Sequence, residues 1–301
     1  MSTIVQYEPR VNETTRVFLD QTEKLYAAPG KICDFKLWLQ YFAFDVITEI
    51  TYSRRVGFID RGEDVDGIIE WLDKLFDYSA PVGQMPIIDK FLVKNPILII
   101  LSKYGWIDNS SGTARFSKAR MTERLQEIEQ RKATGAKDIG DRSDLLTMFL
   151  KTQRDDKTGF FNDSRVLTMT TSIALAGSDT TAITLSGIFY QLLKNPRCYE
   201  KLDKEIRDAI DSNLIEDFDI ISWSDSHKLP YLDACIKETF RVHPAISLNL
   251  ERVTPPDGIE ICGDFIPGGT VLQLTTDEEW DLRCAWFVKP LEFDVKIISK
   301  A

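Results

Sequence analysis

The chain has 301 residues, 43% hydrophobic and 28% charged, with 37 basic and 47 acidic residues for a formal charge of −10. That length supports one or two domains whose core needs no disulfide or structural metal, and the composition is globular rather than disordered. The acidic balance excludes broad phosphate-backbone binding, so no nucleic-acid partner is expected, and two histidines exclude a His-rich metal centre.

Met1 to Arg10 hold no apolar run, so no signal peptide or membrane anchor is read there. Residues 34–53 carry Phe35, Leu39, Phe42, Val46, Ile47 and Ile50 at helical spacing, with Arg54 and Gly57 at the end. Residues 65–78 repeat the pattern with Ile68, Ile69, Leu72, Leu75 and Phe76. Between 80 and 106, Pro81, Gly83, Pro86, Pro96 and Gly105 break up an apolar stretch. Its longest run, Ile97 to Leu101, is too short for a bilayer, which takes ~20 residues. It reads as a buried short helix, or as a segment that lines a pocket or dips into a membrane surface.

Residues 114–133 read as a charged helix and 135–143 as a polar loop. Asn162, Asp163 and Ser164 offer an N-cap to a long apolar helix running to Lys194. Within it, Ala176-Gly177-Ser178-Asp179-Thr180-Thr181 is an unusual insertion. Glycine inside a helix costs ~0.8–1 kcal/mol against alanine, and an Asp among apolar residues needs a partner. Ser and Thr can bond back to the preceding turn. Such a cluster fits either a tolerated kink or a widened groove facing a ligand.

Asn195-Pro196 starts the next helix, with Pro at the favoured first position. Another begins near Pro230 and must stop before Pro244. At 100° per residue from Tyr231, Glu238 falls at ~340°, between Ala234 at ~300° and Val242 at ~20°. That reading puts Glu238 in the apolar face, with Arg241 three residues on at its edge. A buried Glu238–Arg241 ion pair used for registry is expected, a surface pair being the alternative. From 248 onward the period changes to two. Residues 258–274 read as small hairpins around Gly263-Asp264 and Pro267-Gly268-Gly269, and Cys284 to Ser299 as a strand pair turning at Lys289-Pro290. The five cysteines (33, 198, 235, 262 and 284) include no C-x-x-C pair, which fits a reduced intracellular chain.

A-G-S-D-T-T in a long helix, then E-T-F-R and H-P about sixty residues later, resembles the cytochrome P-450 family. The patterns [AG]-G-x-[DE]-T-[TS] and E-x-x-R are each weak, but order, spacing and helical setting reinforce each other. Leu229-Pro230-Tyr231-Leu232 and Phe265-Ile266-Pro267-Gly268-Gly269-Thr270 match the flanks. Tyr41–Ile50 and the Ile261–Thr270 hairpin look most like fungal members of secondary metabolism. The resemblance runs from about Tyr7 to Ile298 and implies one mainly α domain with a small β-sheet, an incomplete cytochrome P-450 fold.

The resemblance further implies a haem cofactor and an oxidoreductase of the monooxygenase type. It implies an apolar small-molecule substrate and a reductase as redox partner. Thr180 would deliver protons with Asp179 as its acidic partner. Ala176 and Gly177 would leave a groove for oxygen and substrate, and Arg252 would contact a haem propionate. Glu238 and Arg241 would be the structural ion pair beneath the haem. The family's iron ligand is a Cys in a loop like F-x-x-G-x-R-x-C-x-G, and no such segment occurs. Leu274 is joined almost directly to Trp286-Phe287-Val288-Lys289-Pro290 and Phe293-Asp294-Val295-Lys296-Ile297, which look like the family's last strands. The family's anchor and first strands are likewise not seen at the N-terminus. No metal ligand is therefore assigned, and the chain is expected to be inactive by itself. The competing readings are a non-catalytic remnant, or a helical module binding a partner or lipid.

Overall fold

The computed structural model describes residues 5–85, 87–92, 95–104, 112–134, 143–216, 220–246, 252–272, 282–284, 288–290 and 293–298. The helices are α1 (Glu8–Thr22), α2 (Phe35–Tyr52), α3 (Phe58–Arg61), α4 (Ile68–Gln84), α5 (Pro96–Lys103) and α6 (Gly112–Ala133). They continue as α7 (Leu145–Asp155), α8 (Asp163–Lys194), α9 (Pro196–Asp211), α10 (Trp223–Ser226) and α11 (Pro230–Val242). The strands are β1 (Ile32–Asp34), β2 (Arg252–Val253), β3 (Ile259–Ile261), β4 (Asp264–Ile266), β5 (Val271–Leu272), β6 (Leu282–Cys284), β7 (Val288–Pro290) and β8 (Asp294–Lys296).

Two helices organise the rest. α2 begins where the Asp34 carboxylate accepts from Leu37 N, and it ends at a left-handed Ser53. Its sequence suggests a one-sided stripe, yet no residue from Phe35 to Tyr52 is exposed. Trp38, Leu39, Phe44, Thr48 and Thr51 are all buried, so α2 is surrounded by helices rather than laid on a core. α8 is the long helix expected from the Asn162 cap, whose Oδ1 accepts from Arg165 N at 3.0 Å. It runs unbroken through Ala176–Thr181, so this segment does not interrupt the helix. The hydroxyls explain how: Ser178 donates to Leu175 O, Thr184 to Thr180 O and Ser186 to Ala182 O, at 2.8–3.0 Å.

α2 and α8 pack along each other. The main core wraps α2 with Phe58, Ile59, Ile68 and Leu72, and Tyr41 stacks on Phe58 at 5.2 Å. Around the C-terminal end of α2, Arg124 of α6 reaches Asp144 through two hydrogen bonds of 3.1 and 2.8 Å. The same guanidinium donates to Tyr52 O and to Thr147. Both partners of this ion pair are buried.

Several boundaries differ from expectation. α4 continues through Pro81 to Gln84, because losing one N–H does not stop the next turn: Met85 N donates to Pro81 O at 3.0 Å. Among the described residues of the apolar 85–104 stretch, Ile88 and Leu101 are half-buried and most other large apolar side chains are exposed. Ile87, Phe91, Ile97 and Tyr104 are all exposed, and of the expected run Ile97–Leu101 the side chains of Leu98 and Ile99 lie outside the described residues. The polar loop 135–143 lies outside them too, save its last residue.

The β3–β4 hairpin forms as expected, with Cys262 and Gly263 in left-handed conformation at its turn. The strand pair expected after Cys284 does not turn at Lys289-Pro290. These two residues lie inside β7, which pairs with β6, while β8 pairs antiparallel with β1 from the other end of the chain. Phe293 drives that closure, its carbonyl accepting from Phe35 N at 2.9 Å and its ring packing 5.7 Å from Phe35. The small sheet is thus four two-stranded pairs among the described residues. No helix among them is long and apolar enough to cross a membrane.

Candidate active site

The two unusual helical segments meet at a cavity of about 590 Å³. Thr180, Thr181, Thr184 and Leu185 of α8 form one wall, and Phe240 of α11 with Pro244, Ala245 and Ile246 forms the other. The volume is in the range of small-molecule sites. The hydroxyls sit on one wall of an otherwise apolar space. Thr180 Oγ1 donates to Ala176 O at 2.8 Å, which leaves its lone pairs as acceptors. Ala176, one turn earlier, is exposed.

Asp179 lies on the other side of α8. It is fully buried against α2, where Gln40 Nε2 donates to its Oδ1 at 2.5 Å. The expected side-chain partnership between Asp179 and Thr180 is not formed, since neighbouring residues point ~100° apart around a helix. Gly177 also turns towards α2. A Cβ there would come within 2.8 Å of Ile47 Cγ1. Gly177 therefore permits close helix packing at this point. Gly187 repeats the device for α11 and the turn after it, where a Cβ would meet His243 Cδ2 at 2.8 Å and Thr239 Cγ2 at 3.1 Å.

Glu238 and Arg241 do form a two-pronged ion pair, Arg241 Nε and Nη2 donating at 2.8 and 2.6 Å. The guanidinium holds the carboxyl below its usual range, and the carboxylate raises the guanidinium in turn. The pair is not buried: the Glu238 side chain is 59% exposed and that of Arg241 70%. The physical reason is where α11 is packed. Its buried centre is Thr239, at ~80° from Tyr231, flanked by Cys235 and Leu232. The arc from Ala234 through Glu238 to Val242 instead faces a second cavity of about 380 Å³. A hydropathy reading misses this because it scores Thr239 as polar.

Arg252 is exposed on β2, opposite Leu272 of β5, and does not line the 590 Å³ cavity. Its neighbour Glu251 lies outside the described residues. The sequence reading did not single out Gln40, Thr184 or Glu205, and it gave Ile47 and Phe240 no role at the site. Glu205 of α9 caps α11, its two oxygens accepting from Tyr231 N and Leu232 N at 2.8 and 3.0 Å. The one available signal was Gln40, a lone amide inside Leu37–Phe44.

The donor set bears directly on a haem. An apolar cavity with hydroxyls on one wall suits a flat apolar ring laid against α8. No thiol lines it. Cys33 is buried in the core, and burial pushes its thiol up to about 12. Cys198 and Cys235 line the other cavity, on the side of α11 away from Phe240. Cys262 is exposed at the hairpin turn, and Cys284 lies in β6. Among the described residues there is no cluster of three or more metal-ligating side chains. The described residues that line the cavity fit the ring, and none of them is an iron ligand.

The haem domain of cytochrome P450DA superposes with a TM-score of 0.62 at 16% identity, covering 90% of this chain and 52% of that one. The cytochrome P450 monooxygenase cicH of Emericella nidulans is 40% identical over 270 residues, 90% of this chain and 51% of that protein. A cytochrome P450 monooxygenase of Aspergillus terreus is 39% identical over 276 residues, 91% of this chain and 54% of that protein. The chain thus spans about half the length of the curated relatives it matches. The family model for cytochrome P450 matches residues 1–296, and with the A-G-S-D-T-T helix and the E-T-F-R helix meeting at one cavity, the chain belongs to the cytochrome P450 family.

Proposed function

We propose that these residues form the oxygen-side wall of a haem monooxygenase pocket for an apolar small molecule of fungal secondary metabolism, with a reductase supplying electrons. We propose also that this 301-residue chain does not turn over by itself. The observation that carries both halves is the 590 Å³ cavity, which has Thr180 on its wall and no cysteine in its lining. Thiolate-ligated haem supplies O–O bond cleavage in this family.

The chain's own part is positioning. Leu185, Phe240 and Ile246 favour an apolar ligand. Thr180 Oγ1 offers its lone pairs as acceptors to a donor in the cavity while its bond to Ala176 O fixes the rotamer. Asp179 contributes through Gln40, by holding α8 against α2. Arg252 offers a cation to a propionate. Haemin titration of the chain, followed by reduction and carbon monoxide, tests the reading. The expected result is saturable binding without the family's diagnostic thiolate Soret band, weakened by Phe240→Asp. A thiolate-type band overturns the inactivity, and lack of saturable binding overturns the pocket.

A further inference from the structure

The second cavity holds a group of side chains that the proposed monooxygenase site does not use. Cys198 in the first turn of α9 and Cys235 in the middle of α11 both line its 380 Å³. Tyr231 lines the same cavity, and its hydroxyl is a hydrogen-bond neighbour of both thiols. Both thiols are half-buried and free, so a small solute can reach them.

The two helices are already fastened at this point. Glu205 caps α11 from α9 with bonds of 2.8 and 3.0 Å. Lys201 of α9 lies 4.2 Å from the Tyr231 ring centroid. Two thiols that line one cavity between two fastened helices can be joined where their Cα atoms lie within ~7 Å, and their common neighbour Tyr231 favours that approach.

We propose that Cys198 and Cys235 form a reversible dithiol–disulfide pair that takes hydrogen peroxide as its oxidant. One thiolate attacks a peroxide oxygen, the O–O bond breaks, and the leaving hydroxide takes up a proton as water. The second thiol displaces a second water from the sulfenic acid and closes the S–S bond. The two sulfurs together lose two electrons and the peroxide gains them. Burial raises the Cys235 thiol, with Cys198 adding to the effect. The bond then staples α9 to α11 beside Glu238, and a dithiol reductant reverses it.

The test is peroxide titration of the folded, pre-reduced full chain, with alkylation and non-reducing peptide mass spectrometry. The expected first product has lost the mass of two hydrogens and yields one linked peptide pair containing Cys198 and Cys235. Cys198→Ser and Cys235→Ser each abolish it, while Cys262→Ser leaves it intact. The proposal is overturned if sulfinic acid accumulates on Cys198 or Cys235 with no linked pair, or if the first product is a dimer through Cys262. Neither result depends on haem, so the monooxygenase reading stands or falls separately.

Discussion

Two arginine–carboxylate pairs in this molecule share the same two-pronged geometry and sit in opposite environments. Arg124–Asp144 is buried, with side chains 5% and 0% exposed, and Glu238–Arg241 lies open on α11. The family motif marks the second pair, and the first has no motif. The difference is what surrounds the fork. Arg124 is also bound to Tyr52 O and Thr147, and Asp144 to Ser53 and Thr147 N, so every strong group has a partner from another segment. Glu238 and Arg241 have each other within one helix, on the edge of an open cavity. An ion pair fixes tertiary registry only when separate elements converge on it.

Removing one partner of the closed pair is the strongest way to break that contrast. Arg124→Ala or Asp144→Ala is expected to destabilise the chain by ~3–5 kcal/mol in urea unfolding, since a buried charge is left uncompensated. The pair also predicts a pH dependence. Burial alone pushes the Asp144 carboxyl up, but bonds from Arg124, Ser53 and Thr147 outweigh it and hold the group below its ordinary value. Its stabilisation is therefore present above the unfolded value of ~3.9 and lost as pH falls through the lower folded value. Urea midpoints between neutral and acid pH should show a steeper acid limb for the parent chain than for Asp144→Asn. Equal limbs would remove Asp144 from the account.

The α2–α8 contact gives the middle effects. Gly177→Val is expected to lose ~1–3 kcal/mol by overpacking against Ile47, and Ile47→Ala should recover part of it in a double-mutant cycle. A neutral Gly177→Val would instead return this residue to an open groove. Asp179→Ala takes the acceptor from the buried Gln40 amide and should cost ~1–3 kcal/mol. If Asp179→Ala left thermal stability untouched, the Gln40 contact would not be anchoring α8. The smallest effect belongs to the motif pair: Glu238→Gln should leave the urea midpoint within experimental scatter, because exposed pairs contribute little. A large loss there would mean that the fork is covered by another part of the folded protein.

Local signals located most of the helices. Asn162 as a cap, Pro196 and Pro230 at first helical positions, and Pro244 as a stop all act over one or two turns, and all are where the structure has them. The candidate site was legible only in part. Thr180 and the E-T-F-R helix do meet at a cavity, but Asp179 and Gly177 turn to α2 and Glu238 turns to solvent. Neither the apolar stripe of α2 nor the apolar arc of α11 announces what covers it.

Periodicity, capping residues and the two motifs by themselves determined a mainly helical cytochrome P450 chain with a weak β periphery. Which side of each helix meets protein, cavity or water was decided only in the tertiary structure. The cause is distance along the chain: Gln40 meets Asp179, Arg124 meets Asp144, and β1 meets β8. A hydropathy pattern records how apolar a face is and carries no information on which remote segment closes over it.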